Sequence, residues 1–583
     1  MPQDTIISDL TVCLPADRLD RGCRPGTWRL VDYEVAASDD TPGFVGTMVY
    51  AGPGMDAGEL TLPLDASGPH AIHLGVHYPG QFGQAHVRVR LTDDPAYTLV
   101  RAETQSPKDM NGIPEDLAWS HTSKAFRDFQ VSEAFWKVAD LSGQDLVISR
   151  FNQGGRGGAY GDAFANLVHV RLVPLTPEQV AAHEEELPRP DTRRLMAMND
   201  GGIFASLRTR EDIHAQFEPY RESDVDVVLW ACFKGQTCTY RSQVGRTPTT
   251  EYNPFDRFSL HEGWGQVLEN LEAQGIDFLD EIARGAHDAG LRIFPSLRLQ
   301  GPKPVPVNME MGTLYQSRPD LRCRDHKGRG VGHLSLAFPE VRRFWIDLVC
   351  EPLERGFDGV HVIWCRSRPF VLYEDPVIER FRQLHGCDPR DLGDPAEDDP
   401  RFWEVTAEFV TAFARELKQE VATRSHALGR PLEIAHNINL TRRDNLSLGV
   451  DVETWVKEGL VDYLMPHPAV PKRAAEWIGW LVDLVRGTTV KLYPDLYPRR
   501  QPPAASLHSG QTLYDLGCDG MALWDTYSRV YRISEWAMMK RIGHRDDLAR
   551  WREQGRGNDY FRVLDFEWLG DRGGDPRYFQ TDG

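Results

Sequence analysis

The chain has 583 residues, 41% of them hydrophobic, which is too long for one ordinary domain and ample for more than one core. Its 66 basic residues against 86 acidic ones leave a net charge of −20, spread along the chain and not gathered in a tail. Phosphate binding needs basic patches, so this balance argues against nucleic acid and anionic membrane surfaces as partners and suits a neutral sugar better than a polyanion. The longest apolar stretches, 225–233 and 477–485, fall far short of the ~20 residues of a membrane span. The opening residues carry neither the basic n-region nor the apolar h-region of a secretory signal. Nine cysteines (Cys13, Cys23, Cys232, Cys238, Cys323, Cys350, Cys365, Cys387 and Cys518) are odd in number and lack any Cys-x-x-Cys, so reduced thiols in a cytoplasmic protein are expected. A homo-oligomer is compatible with the sequence and not required by it.

Residues 1–185 consist of short alternating or β-branched segments at 27–35, 46–50, 59–64, 70–77, 86–91, 146–151 and 167–175, separated by Gly, Pro and Asp. Many short strands at such spacing predict an all-β sandwich of jelly-roll type. Within this part only 132–138 reads as helical. His73 and His77 share one face of a strand and are expected on the sheet surface. The segments 71–77 and 166–174 resemble the first and last strands of a galactose-binding-like module, which implies a carbohydrate-binding role for the sandwich. A charged helical turn and a Pro-rich spacer over 176–191 form the linker.

From residue 193 to 545, apolar strands alternate with amphipathic segments. The strands are expected at 195–198, 225–233, 292–298, 359–365, 432–438, 462–466, 489–494 and 520–524. Helices are expected at 210–222, 277–290, 338–355, 401–424, 451–459, 471–486, 503–516 and 532–542. Gly290, Gly356 and Gly517 stand where helix C-caps turn into the next strand. Eight such units, with no Gly-x-Gly-x-x-Gly after the first strand, predict a closed (β/α)8 TIM barrel, an α/β fold, after the sandwich. Residues 546–583, rich in Arg, Asp and Gly, are expected to drape over the barrel or fray, as a C-terminal extension.

The reactive face of such a barrel is the C-terminal end of its strands. In order, those ends carry Asp200, Trp230, Arg298, then His361 with Trp364 and Arg366, Tyr373 and Glu374 in the loop that follows, His436 with Asn437, His467, Tyr493 with Asp495, and Trp524 with Asp525. Aromatic faces stack on the C–H face of a sugar, while carboxylate, amide, imidazole and guanidinium groups bond its hydroxyls. Hydrolysis of a glycosidic bond uses two carboxyl groups, one protonating the leaving oxygen and one attacking or activating water. Asp495, Asp525 and Glu374 are the candidates: Glu374 or Asp525 as the acid, Asp495 as base or nucleophile. The others are expected to bind substrate, and no cofactor is called for. Each carboxylate could equally bind a hydroxyl or cap a helix.

The run Gly356-Phe-Asp-Gly-Val-His-Val-Ile-Trp-Cys-Arg366, followed by Tyr373-Glu374, Phe381 and His385-Gly386-Cys-Asp388-Pro389, resembles family-10-like bacterial TIM-barrel glycosyl hydrolases. So do Gly275-Ile-Asp-Phe with Ala286-His287 and Gly290, and Gly520-Met-Ala-Leu-Trp-Asp525. The likeness spans roughly 195–540 and implies a glycosidase-like barrel acting on a neutral oligo- or polysaccharide or glycoside. The chain departs from it at Ile363, where related barrels often carry an Asp. Two other readings stay open. His361, His436 and His467 with Asp525 could ligate a divalent metal in a barrel hydrolase or lyase, and Ile363 suits a sugar-binding protein without catalysis.

Overall fold

The computed structural model describes residues 4–22, 24–38, 42–52, 56–77, 85–102, 130–150, 164–199, 204, 207–250, 263–299, 312–365, 368–392, 398–467, 477–497, 501–524, 535–556 and 560–569. Near the N-terminus, two sheets, antiparallel except where Leu19–Asp20 runs parallel to Trp28–Val35, face one another. The larger runs in the order Thr5–Ile7, His169–Pro174, Pro69–His77, Gln130–Asp140, Phe561–Trp568, Trp28–Val35, Phe44–Ala51, Ala165–Leu167, with Leu19–Asp20 beside Trp28–Val35. The smaller runs Leu60–Leu62, Leu146–Arg150, Ala85–Leu91, Thr98–Ala102. Ile72, Leu74 and Val76 alternate into the core between them, as do Leu146 with Ile148 and Val87 with Val89. A bond of 3.0 Å from Trp136 Nε1 to Thr98 Oγ1 crosses from one sheet to the other.

Three expectations are corrected here. The segment read as helical, 132–138, lies inside the strand Gln130–Asp140, because pairing on both sides overrides its local spacing. The C-terminal segment, expected over the barrel, instead returns as Phe561–Trp568 to fill the gap between Gln130–Asp140 and Trp28–Val35. Its Phe566 and Trp568 cover His77, which is therefore buried and not on the sheet surface.

The linker helix Pro177–Glu185 is closed by a Thr176/Gln179 capping box. Beyond it stand the barrel strands: β1 Leu195–Asn199, β2 Val225–Trp230, β3 Arg292–Arg298, β4 Gly359–Ile363, β5 Glu433–Asn439, β6 Tyr463–His467, β7 Lys491–Leu492 and β8 Met521–Leu523. They pair in parallel from β7 back through β1 to β8. The ring closes just past β7, where Ala522 donates to Pro494 O at 2.9 Å and Leu496 donates to Ala522 O at 2.8 Å. Glycine at φ 96° (Gly356) and 104° (Gly517) turns the preceding helix into β4 and β8, a conformation costly for any side chain. Helices Trp264–Ala273 and Asp375–His385 lie in the βα segments beyond those expected.

The lumen holds Met196, Met198, Val227, Leu229, Phe294, Ile363, Ala435, Tyr463, Met465, Tyr493, Ala522 and Trp524. Its N-terminal end is plugged by Arg292, which bonds Asp226, Glu433 and Tyr463. The sandwich packs on the barrel's flank, where Arg88 meets Asp212 and the Lys540 ammonium lies over the Phe135 ring at 5.4 Å. Phe135 stacks on Tyr560 at 4.5 Å, and the Tyr560 hydroxyl and Arg541 both reach Glu186. Among the described residues, no helix is long and apolar enough to cross a membrane.

Candidate functional site

Side chains alternate across a strand, so the lumen residues fix which neighbours can face the mouth. At the C-terminal ends of β6, β7 and β8, His467, Asp495 and Trp524 come together. Asp495 is buried; its Oδ2 accepts from His467 Nδ1 at 2.9 Å and its Oδ1 from the Trp524 N–H at 3.2 Å. The imidazole lies against the Trp524 indole, ring centroids 4.8 Å apart at 32°. The Asp495 main chain donates to Pro466 O at 3.0 Å, within the seam that closes the barrel.

His361 and Asn437 also face the lumen, on adjacent strands one lumen position apart, since Ile363 pairs with Asn437. The Ser296 hydroxyl meets His361 Nδ1 at 2.8 Å, and the Cys365 thiol donates to Asn437 Oδ1 at 2.6 Å. Among the described residues, His361 Nε2 and Asn437 Nδ2 are buried with no hydrogen-bond partner. Buried polar atoms in native proteins are nearly always paired, so these two carry spare capacity for a hydroxyl or a water. Burial holds the His361 imidazole neutral, its pKa lowered to about 3. Ser296 and Cys365 were not singled out from sequence; a lumen-facing neighbour two residues away on each strand (Arg298, Ile363) was the available signal. Arg298 ends β3 on the lumen side, half-buried.

Five other candidates do not line the mouth. Trp230, Trp364 and His436 face the opposite way, into the layer between strands and helices. Trp230 packs on Phe217. Trp364 packs on Phe413 and Trp455 and donates from Nε1 to His436 Nδ1 at 3.1 Å. His436 lies against Trp455, and burial lowers its pKa to about 3. Each sits one residue off a lumen position, and one residue reverses the face. Tyr493 faces the lumen but its ring reaches down toward Gly520 at the N-terminal end, where an added Cβ would lie 2.4 Å from it, and it packs edge-on to Tyr463. Tyr373 packs against Phe402 of the long helix Pro400–Leu428.

Glu374 is fully buried at the N-terminus of Asp375–His385. Its Oε1 accepts the Arg324 N–H at 2.8 Å; its Oε2 accepts the Ser335 hydroxyl at 2.6 Å and the Leu372 N–H at 3.0 Å. Burial pushes its carboxyl above the usual range, against the pull of these donors. This carboxylate clamps the hairpin of Arg322–Arg324 and Gly330–Leu334 to the loop after β4. Asp200, Arg366 and Asp525 lie outside the described residues.

The set His361, His436 and His467 cannot share one metal ion, because His436 points away from the lumen. Among the described residues no group of three or more His, Cys, Asp or Glu side chains could hold one.

No protein-family model and no curated protein matches the chain. Solved structures that it resembles include TtGalA, an alpha-galactosidase from Thermus thermophilus, at 13% identity over 93% of this chain and 99% of that one, with a TM-score of 0.32. Others are Dispersin B, at 10% identity over 60% and 99% with a TM-score of 0.34, and the maltogenic alpha-amylase AmyB from Thermotoga neapolitana, at 11% identity over 65% and 83% with a TM-score of 0.33. Likenesses of this size assign neither a family nor an activity to this chain.

Proposed function

We propose that the protein is a glycoside hydrolase acting on a neutral oligo- or polysaccharide or glycoside by acid/base chemistry at the C-terminal mouth of the barrel. The observation that carries this reading is the corner of His467, Asp495 and Trp524, where an imidazole–carboxylate pair stands beside an indole at three consecutive strand ends. An aromatic face beside hydrogen-bonding groups is what a sugar ring asks of a binding site. The spare capacity of His361 Nε2 and Asn437 Nδ2 beneath adds sites for uncharged hydroxyls. The Asp495 corner supplies one half of the chemistry, and Asp525, next to Trp524 in sequence, is assigned the other. Glu374 is left out, since both of its oxygens are already taken by protein donors.

One observation favours a second reading, sugar binding without catalysis: Ile363 occupies the lumen of β4 where a carboxylate would serve hydrolysis. A panel of nitrophenyl α- and β-glycosides and neutral oligosaccharides tests both, with turnover and calorimetric binding measured on the full chain. Turnover that falls by ~10³-fold or more in Asp495→Asn and Asp525→Asn supports the hydrolase. Binding without turnover gives the second reading, and neither binding nor turnover overturns both.

A further inference from the structure

A cleft away from the barrel mouth lies where the sandwich meets the barrel. It encloses about 310 Å³, at the small end of the ~300–1,000 Å³ range of small-molecule sites, which suits a single ring and not a chain. From the sandwich come Asp94 and Thr98, with Trp136 and Lys137 of the strand Gln130–Asp140. From the barrel come Glu218, Arg221 and Glu222, just before β2, and Lys540, after β8. Residues 218–222 stand at the N-terminal end of β2, so the cleft is no part of the mouth at the C-terminal strand ends. Six charged side chains line it, three of each sign, and they are matched: Lys137 with Asp94, Lys540 with Glu222 at 3.2 Å, Arg221 with Glu218 at 3.1 Å. Burial works against the charge on Glu222, yet Lys540, His183 and, from across the cleft, Lys137 hold its carboxyl below the usual range. An ammonium carries three N–H donors and a carboxylate about four lone-pair sites, so one ion pair leaves most of each unused. The Thr98 hydroxyl accepts from Trp136 Nε1 at 3.0 Å and keeps its own proton to give.

We propose that this cleft binds one uncharged polyhydroxylated ring, a monosaccharide or cyclitol, as a second site separate from the barrel mouth. The site is independent of the hydrolase reading. An anion could enter only by drawing Lys137 or Lys540 off its carboxylate, and a cation only by drawing off Asp94 or Glu222. Either leaves a half-buried charge unmatched. A ring with hydroxyls around its edge does neither. Each hydroxyl accepts an N–H from an ammonium and gives its own proton to a carboxylate, with every ion pair intact. The Trp136 indole, its Nε1 already bonded to Thr98, adds an apolar wall for the ring's C–H face. Lys137 and Asp94 belong to the sandwich, Lys540 and Glu222 to the barrel, so a ligand bonded to both pairs ties the two together. Its binding raises the melting temperature by mass action.

The test is calorimetric titration of the full chain with D-glucose, D-galactose, D-mannose and myo-inositol, beside glucuronate, glucosamine and inorganic phosphate as charged probes. At least one neutral ring is expected to bind and to raise the melting temperature. Lys137→Met should weaken that binding by ~10-fold or more and Thr98→Val by ~5-fold. Val138→Trp, which fills the cleft from its half-exposed rim, should abolish it. Asp495→Asn, at the mouth, should change it by less than ~2-fold, which separates this site from any sugar held there. A reading that needs no variant is acylation of Lys137 and Lys540 by N-acetoxysuccinimide, followed by peptide mass spectrometry, which the bound ring should slow. Absence of neutral-ring binding, binding unchanged in cleft variants of parental melting temperature, binding of a charged probe alone, or unchanged labelling of both lysines would overturn the second site and leave a water-filled joint. Binding here without turnover of any glycoside sinks the hydrolase reading alone, and turnover without binding here sinks the second site alone.

Discussion

Replacing Glu374 by Gln separates a structural carboxylate from a catalytic one. In the parent, three donors converge on it: the Arg324 N–H on Oε1, and the Ser335 hydroxyl and Leu372 N–H on Oε2. A glutamine keeps its carbonyl on the two-donor side only by turning its amide N–H₂ toward the Arg324 N–H. Donor then faces donor in a site without exposure. An unsatisfied buried N–H costs about 1–3 kcal/mol, and the two bonds that remain lose the strength a charged acceptor lent them. We therefore expect unfolding to become easier by about 3 kcal/mol, read as a lower urea midpoint followed by tryptophan fluorescence. Both oxygens of the parent carboxylate already accept from protein donors, so kcat/KM per folded molecule should stay within ~10-fold of the parent. A Glu374→Gln protein of parental stability that has lost ~10³-fold in kcat/KM would refute this reasoning and return the residue to the acid/base pair.

Three more outcomes follow from the packing. His436→Ala opens a cavity between Trp364 and Trp455 and should cost about 3 kcal/mol, with sugar affinity unchanged by calorimetry; lost affinity at parental stability would put His436 back at the mouth. Ending the chain at Gly555 removes the strand Phe561–Trp568, whose buried Phe561, Leu564 and Phe566 contribute roughly 2 kcal/mol each. That chain should lose the melting transition of the sandwich in calorimetry, and a parental thermogram would contradict the assigned pairing. Burial lowers the pKa of His73, His361 and His436 to about 3 and of His77 and His333 to about 4. The unfolded chain protonates all five below about pH 6.5 while the fold refuses those protons, so their contribution is full above that pH and is lost as pH falls toward 3. The slope should reach roughly 6 kcal/mol per pH unit near pH 5; urea midpoints that stay flat between pH 7 and 5 would rule it out.

The barrel was legible because its signals are local. Apolar strands, amphipathic helices and glycines such as Gly356 and Gly517 repeat within each unit, and each unit needs only its neighbours to be recognised. The direction a strand-end side chain faces was only half legible. Reading β4 as a pleat puts His361 and Ile363 on one face and Trp364 on the other, yet Trp364 was placed at the mouth for its chemistry. The same count on β5 separates Asn437 from His436. What could not be read was non-local. The strand Gln130–Asp140 is a strand because Pro69–His77 and Phe561–Trp568 flank it, the latter more than 400 residues away. Both oxygens of Glu374 are taken by protein donors because Arg324 and Ser335 reach it from another segment, and no local spacing announces that.

Closure of the barrel and alignment of His467 depend on the same short stretch. β7 is only two residues long, and the ring is completed by main-chain bonds on both sides of Asp495: its own N–H to Pro466, Leu496 to Ala522, and Ala522 to Pro494. A residue bonded to both neighbouring strands has its φ and ψ pinned, so its carboxylate reaches the Trp524 N–H and His467 already oriented. Those bonds are main-chain bonds, and Asp495→Asn leaves them in place. Asp495→Pro would instead delete the donor to Pro466 and open the seam. The two substitutions should therefore part company: the amide variant keeps the parental circular dichroism and melting transition within a few degrees, whereas the proline variant loses the cooperative melting of the barrel. If both melt alike, the seam contributes nothing to closure and the orientation of Asp495 has another source.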